Sequence, residues 1–282
     1  MQQQTLAQKP TLEALKRVCA QDQPAPHGHI SLGTEELDEA VGGGLARGAL
    51  HDLYAPHTTS LAAMAGFACG ILQRSGKLDP KPSLWVRQHV ASFEVGRLHA
   101  PGFTQLGPVL DTLVLVNTRT VADLLAAGLE AARCTALGTV VLELWNRAGE
   151  LDLTITRRLA LAAEQSGVTV LMLQVAAQPL PSAAITRWQV TPAPSRPMAA
   201  NAPGHPSFDL TLLRNRAGKT GQRWRVEWQH ETGQFQSVPS SSRTALSRRL
   251  VSLSGSRPVG PPDGKAGSYQ QADYAQALAR TG

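Results

Sequence analysis

The chain has 282 residues, of which 42% are hydrophobic and 17% charged, and it carries a formal net charge of +6. That length suits one large domain or a domain with tails, and the apolar fraction supplies a real core, which excludes wholesale disorder. No run approaches the ~18 apolar residues of a membrane helix. Met1-Gln2-Gln3-Gln4 lacks the basic start of a secretory signal. Cys19, Cys69 and Cys134, with no CxxC pair, argue against a disulfide scaffold or a zinc ribbon. A cytoplasmic protein without membrane attachment is expected.

In chain order, residues 11–21 read as a short helix with Leu12, Leu15 and Val18 on one face. Pro24, Pro26 and Gly28 then break the chain. From about 30 to 178 the pattern is α/β. Apolar runs at 49–54, 83–87, 112–117, 138–145 and 168–174 read as strands. The last two are near-continuous Val/Leu, as strands buried on both faces are. Residues 121–134 carry Val121, Leu124, Leu125 and Leu129 at helical spacing behind a Thr120/Asp123 cap. A second helix spans 153–166, between Asp152 as N-cap and Gly167 as a left-handed stop. Alternating strands and helices predict a mostly parallel sheet with crossover helices. Residues 185–190 form a further short strand. Runs 208–215 and 222–229 form a late antiparallel hairpin, in which Trp224, Val226 and Trp228 alternate with Arg223, Arg225 and Glu227 to give one packed and one wet face. Beyond about 238, Ser, Arg, Pro and Gly dominate, the composition of a disordered basic tail. The expected organisation is therefore 1–29 as N-terminal helix and linker, 30–236 as the α/β domain, and 237–282 as the tail.

The segment 31–54, SLGTEELDEAVGGGLARGALHDLY, carries the most specific pattern. Leu32, Leu37 and Val41 pin a short helix, and Gly42, Gly43 and Gly44 permit a tight reversal. Gly48 leads into a strand. This segment resembles the entry to the core of RecA-like ATPases. In that family the strand at 49–54 runs into a phosphate-binding loop, G-x-x-x-x-G-K-[ST]. Its glycines admit backbone N–H groups to the phosphates, its lysine meets the β/γ charge, and its hydroxyl holds magnesium. Here the corresponding residues are Ala55, Pro56, His57, Thr58, Thr59, Ser60, Leu61 and Ala62. Both glycines, the lysine and the hydroxyl are missing, which argues against ordinary ATP hydrolysis and predicts no nucleotide cofactor.

The resemblance extends to three further positions. Glu143, after Val140-Val141-Leu142, falls where a magnesium-associated carboxylate would sit; with the loop lost it also reads as a plain strand-end carboxylate. Gln174 matches the family's nucleotide-sensing glutamine or is a polar strand terminus. Arg214-Asn215-Arg216 fills a basic-Asn-basic motif that in RecA-like proteins reaches a neighbouring subunit's nucleotide. With Lys219 in the following turn, these are candidates to contact DNA phosphate or a partner's carboxylate, or to keep an exposed hairpin soluble.

Other chemistry is thin. His27-x-His29 lacks companions for a metal site, and no G-x-S-x-G elbow occurs. Trp145, Trp188, Trp224 and Trp228 suit core packing or base stacking.

Taken together, LGTEELDEAVGGGLARGALHDLYA, LDLTITRRLALAAEQSGVTVLML, SAAITRWQVTPAPS and LTLLRNRAGKTGQRWRVEW resemble the ImuA family, RecA-like accessory proteins of damage-induced mutagenesis, over about residues 11–236. That resemblance implies a cytoplasmic, non-catalytic adaptor of translesion DNA synthesis. Its implied partners are ImuB, which is polymerase-like without catalysis, and an error-prone C-family DNA polymerase. RecA and single-stranded DNA are further candidates. Two rivals stand beside it. One is a divergent ATPase using Lys219 or Lys77. The other is a SulA-like inhibitor of cell division, which the longer chain and the hairpin disfavour.

Overall fold

The computed structural model describes residues 27–91, 112–145, 151–202, 204–216 and 220–238, together with residues 96, 98, 102, 106, 107 and 218. The expected helix at 11–21, Lys219 and the basic tail lie outside these residues. Among them, a nine-stranded sheet carries the architecture, beside a two-residue ladder of β1 (His29–Ile30) and β2 (Leu45–Ala46). Its strands are β3 (Leu50–Ala55), β4 (Ser83–Gln88), β5 (Leu113–Thr118), β6 (Thr139–Trp145), β7 (Thr169–Val175), β8 (Thr186–Pro192), β9 (Ser207–Asn215), β10 (Arg223–Gln229) and β11 (Gln234–Ser237). Their order is β11-β10-β9-β8-β3-β7-β6-β4-β5. All pairings from β8 through β5 are parallel, and β9, β10 and β11 add antiparallel to the β8 edge.

The four helices described are α1 (Glu35–Ala40), α2 (Leu61–Leu78), α3 (Val121–Arg133) and α4 (Leu153–Ser166). Local chemistry accounts for their ends. The Thr120 hydroxyl accepts from the Asp123 amide at 3.1 Å and donates to its carboxylate at 2.7 Å. The Asp152 carboxylate accepts from the Ile155 amide at 2.6 Å, and Gly167 closes α4 at φ 79°. After α1, Gly42, Gly43 and Gly44 hold φ of 83°, 103° and 121°, a reversal open to few other residues. A side chain at Gly44 would also stand 2.5 Å from the Ile30 carbonyl oxygen.

β6 and β7 are buried along their whole length, because helices cover both faces there. Helices α3 and α4 cover one face, with Leu124, Val140, Leu159 and Val170 in that core layer. Helix α2 covers the other and meets Leu53, Val141, Leu171 and the late strands. Under α2, Phe67 packs 5.0 Å from Phe235 and 6.4 Å from Trp188 between ring centroids. Trp145, Trp188 and Trp228 are buried, and Trp224 lies half-buried against Trp188. β5 forms one sheet edge and leaves Val114 and Leu115 exposed. The late hairpin departs from the expected alternation at one position. Glu227, on the face expected to be wet, is buried, while Arg225 forms a two-pronged pair with Asp209 at 2.7 and 2.8 Å.

Candidate functional site

The turn after β3 begins at Ala55, where the strand ends. A single 3-10 turn, Thr58–Ser60, passes straight into α2 at Leu61. His57, Thr58 and Thr59 are exposed and Ser60 is buried. Backbone amides cradle phosphate when right- and left-handed residues alternate to form a concave nest. No residue from 55 to 62 has a positive φ. Leu61, at the lysine position, is 7% exposed and packs into the core under α2.

Beside this turn lies a cavity of about 330 Å³, lined by Thr58, Leu61, Ala65 and Cys69 and by Arg87 and Glu143 from the sheet. Glu143 is not a strand terminus. It lies within β6, is buried, and faces its register partner Arg87 on β4. Its Oε1 accepts from Arg87 Nη2 at 3.1 Å and from Trp145 Nε1 at 3.0 Å. Its Oε2 accepts from Trp85 Nε1 at 2.9 Å. Both carboxylate oxygens are thus engaged by the protein's own donors. Burial, with the Glu143 charge added, pushes the Cys69 thiol up. Arg87 Nε is buried without a hydrogen-bond partner.

Gln174 also lies inside its strand, and donates from Nε2 to the Tyr54 hydroxyl at 2.9 Å across the β3–β7 pair. Burial pushes the Tyr54 hydroxyl up to about 12.

The basic-Asn-basic motif is split by the fold. Arg214 is half-buried and donates from Nη1 to the Ser182 carbonyl at 2.9 Å. Asn215 is buried and donates from Nδ2 to the Ala40 carbonyl at 2.9 Å. Arg216 is exposed. The strand pairs Asn215 with Thr186, and Thr186 with His51, so the hairpin tip lies at the N-terminal end of β3. The 55–62 turn is at the opposite end, roughly 15 Å along the strand. The tip therefore does not meet the turn of its own chain.

Two buried polar groups escaped the sequence reading. His51 donates from Nε2 to the Ala46 carbonyl at 2.8 Å and its Nδ1 accepts from the Thr186 hydroxyl at 2.7 Å, the neutral tautomer a carbonyl acceptor requires. Burial lowers its pKa to about 4. On the opposite face of β3, Asp52 accepts from the Ser182 hydroxyl and, at 3.4 Å, from Arg187 Nε, while its Oδ1 has no partner. Burial raises the Asp52 carboxyl, and Ser182 and Arg187 oppose the shift. The only sequence signal was a polar pair, His51-Asp52, inside an apolar run.

His27 does not form a metal pair with His29; its Nε2 lies 2.7 Å from the Glu164 carbonyl, to which it donates. Among the described residues no cluster of His, Cys, Asp or Glu could hold a metal ion, and no helix is long and apolar enough to cross a membrane.

The sheet order, the helices on both faces and the antiparallel strands at the end of the chain define a RecA-like fold. The crystal structure of the RadB recombinase matches it with a TM-score of 0.50 at 15% identity, covering 74% of this chain and 99% of that one. The chain is similar to ImuA: it is 29% identical over 208 residues to Protein ImuA of Caulobacter vibrioides strain NA1000 / CB15N, spanning 68% of this chain and 80% of that protein. Protein ImuA of strain ATCC 19089 / CIP 103742 / CB 15 matches to the same extent. No family model matches the chain.

Proposed function

We propose that this chain is a cytoplasmic RecA-like adaptor of the damage-induced mutasome. In this reading it supports error-prone translesion synthesis with ImuB and a C-family DNA polymerase, and it performs no ATP chemistry. The observation that carries the reading is Leu61. Where a phosphate loop needs a cation beside the transferred phosphoryl group, this chain has a leucine buried in the core. The surroundings agree: the turn has no left-handed residue to build an anion nest. The adjoining charges, Arg87 and Glu143, neutralise one another.

A divergent ATPase using Lys77 gains no support. Lys77 stands in the last turn of the 18-residue helix α2 and donates to the Thr232 carbonyl at 2.7 Å. At 1.5 Å per residue it is roughly 24 Å from Leu61.

The test is calorimetric titration of the purified full chain with ATP and magnesium. No heat up to about millimolar ATP, a ceiling of about 4 kcal/mol of binding energy, is the expected result. Saturable, magnesium-dependent binding overturns the reading and makes Glu143 the first residue to mutate. Association with purified ImuB tests the adaptor role separately.

A further inference from the structure

The hairpin tip and helix α1 make one continuous surface of mixed charge. Asn215 binds the Ala40 carbonyl at 2.9 Å. Gly218, in the hairpin turn, lies against the same group: a Cβ built there would stand 3.9 Å from the Ala40 oxygen. The C-terminal end of α1 therefore abuts the tip. Helix α1 has six residues and is about 9 Å long. Glu39 is next to the contact, with Glu36 one turn further on. Glu35, Glu36 and Glu39 are exposed, as is Arg216, next to Asn215. None of these four is in an ion pair among the described residues. The neighbouring charges are turned inward. Asp38 accepts from Ser31 at 2.6 Å and from the Leu32 amide at 2.7 Å, and Arg214 is held on Ser182.

This pattern discriminates between two classes of partner. A phosphate backbone drawn to Arg216 would run beside the end of α1 that carries Glu39, with Glu36 one turn away. Charges within about 8 Å act on one another with little screening at physiological ionic strength, so the acidic helix repels what the hairpin attracts. A folded protein can offer the opposite sign at both places, and like-charge juxtaposition then excludes wrong partners.

We propose that this surface docks a protein partner that presents a carboxylate to Arg216 and a cation to Glu36 and Glu39. It rests on the adaptor reading above and commits the hairpin to protein contact in place of nucleic acid.

The test measures binding of the full chain to purified ImuB and, separately, to a fluorescent single-stranded oligonucleotide. Wild type, R216E and E36K/E39K are compared, with circular dichroism and thermal melts to establish that the variants are folded. Both variants are expected to weaken ImuB binding about ten-fold at low salt, with the difference shrinking as salt rises. R216E leaves oligonucleotide affinity unchanged. Wild type that binds ImuB while both variants bind equally well overturns the docking surface and leaves the adaptor reading standing. Loss in only one variant overturns the mixed-charge match. Loss of oligonucleotide binding in R216E, with a gain in E36K/E39K, makes the surface a nucleic-acid interface and overturns the proposal. No ImuB binding by the wild type overturns the adaptor reading and this surface with it.

Discussion

Arg87 and Glu143 face each other in register on β4 and β6, 3.1 Å apart, with side chains only 2% and 1% exposed. Removing one partner of a buried pair leaves a desolvated charge, at a cost of about 3–5 kcal/mol. Glu143→Ala is expected to destabilise the domain by about that amount in urea unfolding, the more so because Trp85 and Trp145 also lose their acceptor. Replacing the pair together, as Arg87→Met with Glu143→Leu, should cost much less. If the double variant is as unstable as Glu143→Ala, the pair is not what Glu143 holds together.

Gly70 of α2 touches Phe235, and a methyl group there would overlap the ring. Phe235 is itself wedged among Phe67, Phe208 and Trp228, so it has little room to yield. Gly70→Ala should destabilise by about 1–3 kcal/mol despite the better helix propensity of alanine. At Gly66 the nearest atom of Phe208 would be 3.2 Å away. There the gain of up to about 1 kcal/mol in propensity should leave Gly66→Ala close to wild type. Chemical denaturation of the two variants side by side checks the contrast.

His51 makes stability depend on pH. Its folded pKa is lowered to about 4 from an ordinary 6.5. The unfolded chain therefore binds the extra proton first. The contribution is fully present above pH 6.5 and is lost as pH falls toward 4, by about 3 kcal/mol in all. Asp52 acts in the opposite sense, because a raised carboxyl favours the fold as it takes up its proton. His51→Gln should flatten the slope between pH 6.5 and 4. Urea midpoints measured across that range test it; an unchanged slope assigns the titration elsewhere.

Arg214 and Arg216 should behave differently in stability. Arg214→Ala removes a charge-assisted bond to the Ser182 carbonyl and is expected to cost about 1–2 kcal/mol. Arg216→Ala removes an exposed side chain and should stay within about 0.5 kcal/mol of wild type. Equal losses in thermal melts would contradict the split of the motif described above.

The sequence by itself determined the local and periodic features of this protein. The burial of β6 and β7 follows from their near-continuous apolar residues. The Thr120 and Asp152 caps and the Gly167 stop act within one helical turn, so neighbouring residues suffice to specify them. The absence of a lysine at 61 and the ImuA-like blocks were equally plain. Only the tertiary structure decided where the polar groups went, since those outcomes depend on partners far along the chain. Glu143 is an internal ion-pair partner because β4, 56 residues earlier, brings Arg87 into register. Arg214 turns inward because β8 brings Ser182 to the end of β9, and Asn215 clamps Ala40 from 175 residues away. Gly66 and Gly70, poor helix formers on local grounds, are suited to α2 because Phe208 and Phe235 pack against them there. Short-range hydrogen bonds and hydrophobic period are written in adjacent residues. The pairing of a buried charge and the fit of a ring are written in the sheet order, which no local stretch contains.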